Sequence, residues 1–322
     1  MSMRNKKRSA AWWLTGVLLL AGCAAPAASE GTQGQSSEAS SAAQEIITVT
    51  HELGTVQVTS KPQRVVVFDY GLVDLLQNLE VEIIGLPKAS LPEFLKQYRD
   101  ERYTDVGTLK EPDFEKVFGL KPDLILISTR TQAAYEELSK IAPTLYLTVD
   151  GGNYLKSVED NAALLGKIFG QSEVVSQKVA DLKERVAGIQ GKVRAKGENA
   201  LIILANDGSL SAYGKVSRFG IIHHALGFDE ADSGIEDSTH GQNVTYEYIL
   251  EQDPDHLFVI DRAGVVGGDT DAGSTMDNEL IRRTKAHKSG TIHYLDPSVW
   301  YITSGGFTGT SIMLDEMEAV LK

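Results

Sequence analysis

Cysteine is almost missing: the 322-residue chain has one, Cys23, so no disulfide can form within it and no thiolate cluster is available. Histidine is scarce, seven residues in all, and no His-Glu-x-x-His or Cys-x-x-Cys spacing occurs. His223 and His224 are adjacent, so on a helix they point to different faces and read as structural, while His287 and His293 have no ligand-spaced partner. Such a set argues against a zinc or manganese carrier that grips its ion with three or four His and carboxylates. No Gly-x-Ser-x-Gly elbow is present, and Ser217, Ser304 and His240 have no oxyanion loop among them, which argues against a secreted hydrolase. Basic residues are in deficit, 31 against 44 acidic for a formal net charge of −13, so nucleic acid is not an expected partner. Beyond the N-terminus, no apolar run approaches membrane length.

The N-terminus itself carries Arg4, Lys6, Lys7 and Arg8 and then an apolar run from Ala10 to Leu20, the pattern of a signal peptide over residues 1–22. The run, at about a dozen residues, is too short for a permanent span of a ~30 Å hydrocarbon core. It ends at Leu20-Ala21-Gly22-Cys23, which resembles the lipobox of bacterial lipoproteins, where the Cys sulfur is lipidated. Residues 23–45 are almost wholly Ala, Ser, Gly, Gln and Glu, too polar to bury a core, and read as a disordered tether. Removing the leader leaves 27 basic against 44 acidic residues, a formal charge of −17.

The folded remainder contains an internal repeat. Phe114-Glu115 through Pro122-Asp123 to Arg130 aligns without a gap on Tyr246-Glu247 through Pro254-Asp255 to Arg262, an offset of 132 residues throughout. Each copy predicts a short amphipathic helix with a Glu near its start, then Pro-Asp, then an apolar β-run that ends at an Arg. A hairpin over Ile46–Val58, strands at 64–68, 83–85, 124–128 and 145–149, and again at 200–205, 257–261 and 291–295, alternate with helical segments. Alternation of this kind implies parallel-rich wound sheets. Apolar residues at spacings of three and four run from Val158 to Lys196, predicting one long linking helix that Gly170 or Gly188 could break or bend. The expected organisation is an α/β lobe over 46–156, a backbone helix over 157–197 and a second α/β lobe over 198–322, with a cleft between the lobes.

With leader, lipobox, tether, two lobes and linking helix in place, the chain resembles the class III, helical-backbone substrate-binding proteins of iron-siderophore, haem and cobalamin importers. Ser211-Ala-Tyr213-Gly214-Lys-Val-Ser217-Arg218-Phe219-Gly220, the His240 that follows and Trp300-Tyr301 resemble the catecholate branch, which takes up petrobactin- and enterobactin-type ligands. The resemblance implies two Rossmann-like lobes and no intrinsic cofactor, the ferric siderophore being the cargo. It implies that Arg130, Arg218 and Arg262 converge on the ligand. Position supports the first two partners of the repeat, since Arg130 and Arg262 stand just past the C-terminal ends of parallel strands, where open α/β sheets bind ligands. A solvated charge is the plain alternative for any single Arg. Guanidinium suits the three negative charges, or about that, of a ferric tris-catecholate, because it offers fixed forked donors and a stacking face.

The same resemblance implies that His240 and Tyr301 complete the iron shell when the siderophore leaves sites empty, and that Tyr213 and Trp300 line the pocket. A loop His that hydrogen-bonds and a half-buried Tyr are the plain alternative for the pair, and Tyr213, Phe219, Trp300 and Phe307 are residues that more often fill cores. The resemblance further implies that Glu115 and Glu247, at equivalent places in the repeat, dock on a two-fold ABC permease served by its ATPase, a solvated helix Glu being the plain alternative for each. The chain is thus expected to be a monomeric, non-enzymatic capture lipoprotein of the cell envelope, anchored through Cys23 to the outer face of the cytoplasmic membrane, or on the periplasmic side in a Gram-negative envelope. A haem or cobalamin ligand in the same fold is the rival reading, although three convergent arginines ill suit a haem slot.

Overall fold

The computed structural model describes residues 45–236, 238 and 240–322. The expected leader, Cys23 and all but the last residue of the tether lie outside them. The expected hairpin forms from β1 (Ile46–His51) and β2 (Gly54–Thr59), paired antiparallel. Five parallel strands follow as a first sheet: β3 (Val65–Val67), β4 (Gly85–Leu86), β5 (Thr104–Asp105), β6 (Leu124–Ile127) and β7 (Thr144–Tyr146), in the order β5-β4-β3-β6-β7. The second sheet contains β8 (Asn199–Asn206), β9 (Ser209–Tyr213), β10 (Asp229–Glu230), β11 (Gln242–Val244), β12 (His256–Asp261) and β13 (Ile292–Leu295). Its order is β11-β9-β8-β12-β13, with β10 beside β8. Six of the helices bear on the site: α1 (Tyr70–Asn78), α2 (Phe114–Leu120), α3 (Tyr154–Phe169), α4 (Ser172–Lys196), α5 (Tyr246–Gln252) and α6 (Phe307–Val320).

The repeat is structural as well as sequential. Helices α2 and α5 occupy equivalent residues, with N-caps Asp113 and Thr245, and each ends in a left-handed residue, Lys121 at φ 48° and Asp253 at φ 41°. The Asp of each Pro-Asp pair ties its strand to the neighbouring one. Asp123 accepts from the Gln63 and Arg64 amides at 2.7 and 2.8 Å, just before β3, and Asp255 accepts from Asn199 at the start of β8 at 3.1 Å. That shared clamp accounts for the recurrence of Asp.

Strand residues alternate between two cores, as the period of two requires. Val65, Val67, Leu124 and Leu126 of the first sheet, and Ile202, Leu204, Phe258 and Ile260 of the second, face one continuous apolar cluster that also contains the buried faces of α1, α3, α4 and α6. Val66, Ile125 and Ile127 face a separate core on the outer side of the first sheet, and Leu201, Ile203, Leu257 and Val259 one on the outer side of the second. Each such fully buried aliphatic chain contributes about 1.5–3 kcal/mol. A core shared by both sheets resists wide separation of the lobes.

Two features depart from the sequence reading. Strands β8 and β9 form an antiparallel hairpin, β9 being a strand the sequence reading did not expect, because Asp207 (φ 50°) and Gly208 (φ 82°) make a two-residue turn with both residues left-handed. The linking segment is also two helices. Gly170, at φ 73°, ends α3, and α4 returns along it, with Lys183 of α4 paired to Glu159 of α3 at 2.7 Å. One long helix does lead into the second sheet, but it starts at Ser172 and runs through Gly188 unbroken.

The C-terminal helix α6 leaves the second sheet and packs on α1 and α4. Asp74 fixes this return: its carboxylate accepts from the Gly309 amide at 2.8 Å and from Asn78 at 2.7 Å, and Asn78 in turn reaches Thr308 at 2.9 Å and receives the Lys178 ammonium at 2.9 Å. Burial pushes the Asp74 carboxyl up to about 6, partly offset by those hydrogen bonds. An acid whose folded value is raised holds a proton that the unfolded chain has lost, so its contribution falls as pH rises from about 4 to about 6. Relative to wild type, Asp74→Asn is therefore expected to gain about 2 kcal/mol of stability between pH 4 and pH 7, on top of any constant offset from altered hydrogen bonds. Denaturant melts of the two proteins across that range measure the difference, and a pH-independent gap would refute the assignment.

Candidate functional site

Two of the three expected arginines stand at strand ends. Thr129 and Arg130 follow β6, and Arg262 directly follows β12. Arg218 sits in the turn after β9, where the Ser217 and Gly220 amides donate to the Gly214 and Ser217 carbonyls at 3.1 and 2.8 Å. All three are half-buried, and all three reach the same residue. The Tyr301 carbonyl accepts from Arg130 Nη2 and from Arg218 Nη2, each at 2.7 Å, and the Tyr301 hydroxyl accepts from Arg262 Nε at 2.8 Å. The Arg218 guanidinium also lies over the Tyr301 ring, 4.4 Å from its centroid.

Local backbone makes this possible. Ser298–Ile302 forms a wide π-turn closed by the Thr303 amide on the Ser298 carbonyl at 3.0 Å. Carbonyls at 301 and 302 are left outside the turn's own bonding, and Arg130 Nη1 takes the second of them, Ile302, at 3.0 Å. Turns of this kind recur at functional sites. Arg262 is held from the other side by Asn206 at the end of β8, at 2.6 Å. Among the described residues, every hydrogen bond of the three arginines goes to a neutral oxygen; none forms an ion pair with a carboxylate. Arg218 Nε is buried and without a hydrogen-bond partner.

Electrostatics follow from this packing. Burial, and then the nearby Arg130, hold the Arg218 guanidinium below its usual value. Burial pushes the Tyr301 phenol up, but the hydrogen bond from Arg262 and the charges of Arg262, Arg218 and Arg130 outweigh it, leaving the phenol below the ordinary tyrosine value.

An open cleft of about 1170 Å³, counting its solvent-filled mouth, adjoins the cluster. Arg130 and Arg218 line it, with Ser128, Asn161 and Ser217 as further polar wall and Leu72, Leu147 and Val149 as apolar wall. Its two sides meet closely. A Cβ on Gly151 would lie 2.0 Å from the Ser217 carbonyl oxygen, so only glycine lets the segment before α3 touch the Arg218 turn.

The remaining expected residues separate into groups. Trp300 is 3% exposed and donates its indole N–H to Glu316 on α6 at 2.5 Å, so it anchors the π-turn from behind and is not a cleft residue. Tyr213, also 3% exposed, packs edge-on against Phe219 with centroids 4.8 Å apart. Both expectations of pocket lining are corrected: these aromatics support Arg218 and Tyr301 and present no face to the cleft. His240 is exposed in the turn that closes with the Gly241 amide on the Ser238 carbonyl at 3.1 Å, two residues from the cleft-lining Ser238. Glu115 and Glu247 are exposed in the first turns of α2 and α5.

His223 is buried and bonds the Phe228 carbonyl at 3.0 Å while His224 is exposed, as expected of a structural pair. His293, by contrast, does have a partner: His256 Nδ1 lies 3.1 Å from its Nε2, across the β12–β13 ladder and not along the sequence. Among the described residues no group of three or more His, Cys, Asp or Glu is arranged to hold a metal ion. Sequence reading missed Asn206 and the cleft-lining Asp69, although both stand at strand ends, the position that had singled out Arg130 and Arg262.

Comparison with known proteins agrees with this architecture. The chain is 43% identical over 293 residues to the petrobactin-binding protein YclQ of Bacillus subtilis (strain 168), covering 89% of this chain and 92% of that one. The crystal structure of YclQ superposes with a TM-score of 0.85 at 42% identity, over 87% of this chain and 99% of that one. The periplasmic catecholate-siderophore binding protein VctP of Vibrio cholerae matches with a TM-score of 0.81 at 34% identity, over 85% and 100%. The ferric-anguibactin-binding protein FatB of Vibrio anguillarum (strain ATCC 68554 / 775) is 35% identical over 277 residues, 84% of this chain and 86% of that one. With its residues 65–299 matching the family model as well, the chain belongs to the periplasmic binding protein family.

Proposed function

We propose that this protein captures a ferric siderophore of the catecholate type outside the cytoplasmic membrane and presents it to an ABC permease for iron uptake. The observation that carries the reading is the cluster itself: three guanidinium groups converge on one tyrosine at the edge of an open cleft, bonded to neutral oxygens alone. Like charges crowded in this way call for an anion, and a ferric tris-catecholate supplies about three negative charges spread over planar oxygens. The names of the relatives, which bind petrobactin, anguibactin and catecholate siderophores, support the same ligand class.

In this reading Arg130, Arg218 and Arg262 neutralise the complex. Tyr301, its phenol held down by the arginines, and His240, in the loop beside Ser238, complete the iron shell where the siderophore leaves positions open. Phenolate and imidazole are suitable donors for ferric iron. The protein is a binder with no catalytic step, tethered to the membrane through Cys23, and it docks through Glu115 and Glu247, one from each copy of the repeat.

Replacing Arg130, Arg218 and Arg262 together by Gln is expected to cost several kcal/mol of ferric-catecholate affinity, each charged hydrogen bond contributing about 1.5–3 kcal/mol. Tryptophan-fluorescence titration reads the loss, and unchanged affinity would sink the pocket assignment. Docking is tested separately. A Glu115→Ala/Glu247→Ala variant is expected to bind ligand as wild type does but to fail in cellular iron uptake, and normal uptake would refute the two glutamates as the docking pair.

A further inference from the structure

One titratable group in the cleft has no role in the binding scheme above. Asp69 follows β3 and caps α1, its Oδ1 accepting from the Leu72 amide at 3.0 Å, and it is 7% exposed. Yet it lines the cleft with Arg130 and Arg218. Arg130 turns its terminal nitrogens to the Tyr301 and Ile302 carbonyls, and makes no ion pair with Asp69. A carboxyl therefore stands unpaired in the wall of a cleft built for negative charge.

We infer that Asp69 is a proton-linked gate on anion binding: the cleft takes an anionic ligand with Asp69 protonated and resists it with Asp69 ionised. The inference rests on reading the cleft as an anion site. Few other groups bear on this carboxyl. Arg130 is the charged one, coming from the turn after β6. Tyr70, next in α1, donates its hydroxyl to the Pro87 carbonyl at 3.2 Å. Tyr154 of α3 shares its hydroxyl with Thr310 at 2.9 Å and accepts from the Gly305 amide at 3.1 Å. The α1 start is also pressed against the C-terminal segment, since a Cβ on Gly71 would lie 1.8 Å from the Ser304 carbonyl oxygen, so the carboxyl has little room to swing away. Burial, the largest influence, pushes the acid up from its ordinary value, and Arg130 and the Leu72 and Gly71 amides pull it back. A bound polyanion adds repulsion to the first of these and screens Arg130, so it favours proton uptake.

By linkage, the protonated and ionised cleft differ in ligand affinity by the same factor by which bound ligand weakens ionisation of Asp69. A neighbouring like charge commonly shifts a carboxyl by one unit or more, which is roughly tenfold. The test compares wild type with Asp69→Asn, a substitution that keeps a good N-cap for α1. Dissociation constants for a hexadentate ferric tris-catecholate are measured for both from about pH 5 to about pH 9, and their ratio cancels protonation of the ligand itself. The ratio of wild-type to variant Kd is expected to climb roughly tenfold toward high pH, with the variant the tighter binder there relative to its low-pH standing. A ratio constant across the range, with both proteins folded by circular dichroism, would overturn the gate. Absence of binding by either protein would overturn the anion-site reading instead.

Discussion

Three positive charges held around one tyrosine form the constraint on which the rest of the site depends. Arg130, Arg218 and Arg262 come from three separate turns, and Tyr301 is the one residue that all three bond, with no carboxylate in ion-pair contact with any of them among the described residues. Tyr301 serves two of them with one carbonyl and the third with its hydroxyl, so a single residue sets the spacing of all three. Its own position depends on the π-turn and on Trp300, whose N–H is fixed by Glu316 of α6. A helix that packs on α1, beside the first sheet, thus positions the arginine cluster at the end of the second sheet.

Packing around the cleft mouth matches that dependence. The apolar cluster shared by both sheets, the α3–α4 pair and the return of α6 leave the lobes few ways to part. At Gly151 and Gly71 the backbones of opposite sides approach more closely than any side chain would allow. Rotation at these contacts would move the Arg218 turn relative to Arg130, and the two share one carbonyl oxygen. Small adjustments of lobe angle are therefore felt directly as changes in guanidinium spacing, whereas a wide hinge would dismantle the cluster.

Much of this was legible in the residues. The 132-residue repeat marks two similar halves, and its terminal Arg pair marks two of the three guanidinium groups that meet at Tyr301, because both features are local and periodic: a cap, a turn, a Pro-Asp clamp and a strand end each have a sequence form. What stayed hidden is long-range. Nothing in Trp300 declares that Glu316 will take its N–H, so its aromatic neighbour Tyr301 and it looked alike while one binds arginines and the other is core. His256 and His293 meet across a parallel ladder, where sequence spacing carries no information. The break at Gly170 was written plainly enough, but only tertiary packing decides that α4 folds back on α3 while Gly188 passes unnoticed within α4.

The choice of arginine throughout the cluster has its own logic. Each guanidinium bonds Tyr301 or its neighbours through nitrogens in a fixed fork, a geometry that a lysine ammonium, with its mobile point charge, would reproduce poorly. Arg218 shows the principle most fully: one nitrogen on the Tyr301 carbonyl, its face on the Tyr301 ring, and Nε buried without a partner. An unpartnered buried donor costs about 1–3 kcal/mol unless something satisfies it. The crowding that lowers the Tyr301 phenol therefore coincides with a buried guanidinium whose Nε no protein group satisfies, so packing density at Arg218 and charge density at Tyr301 have one origin.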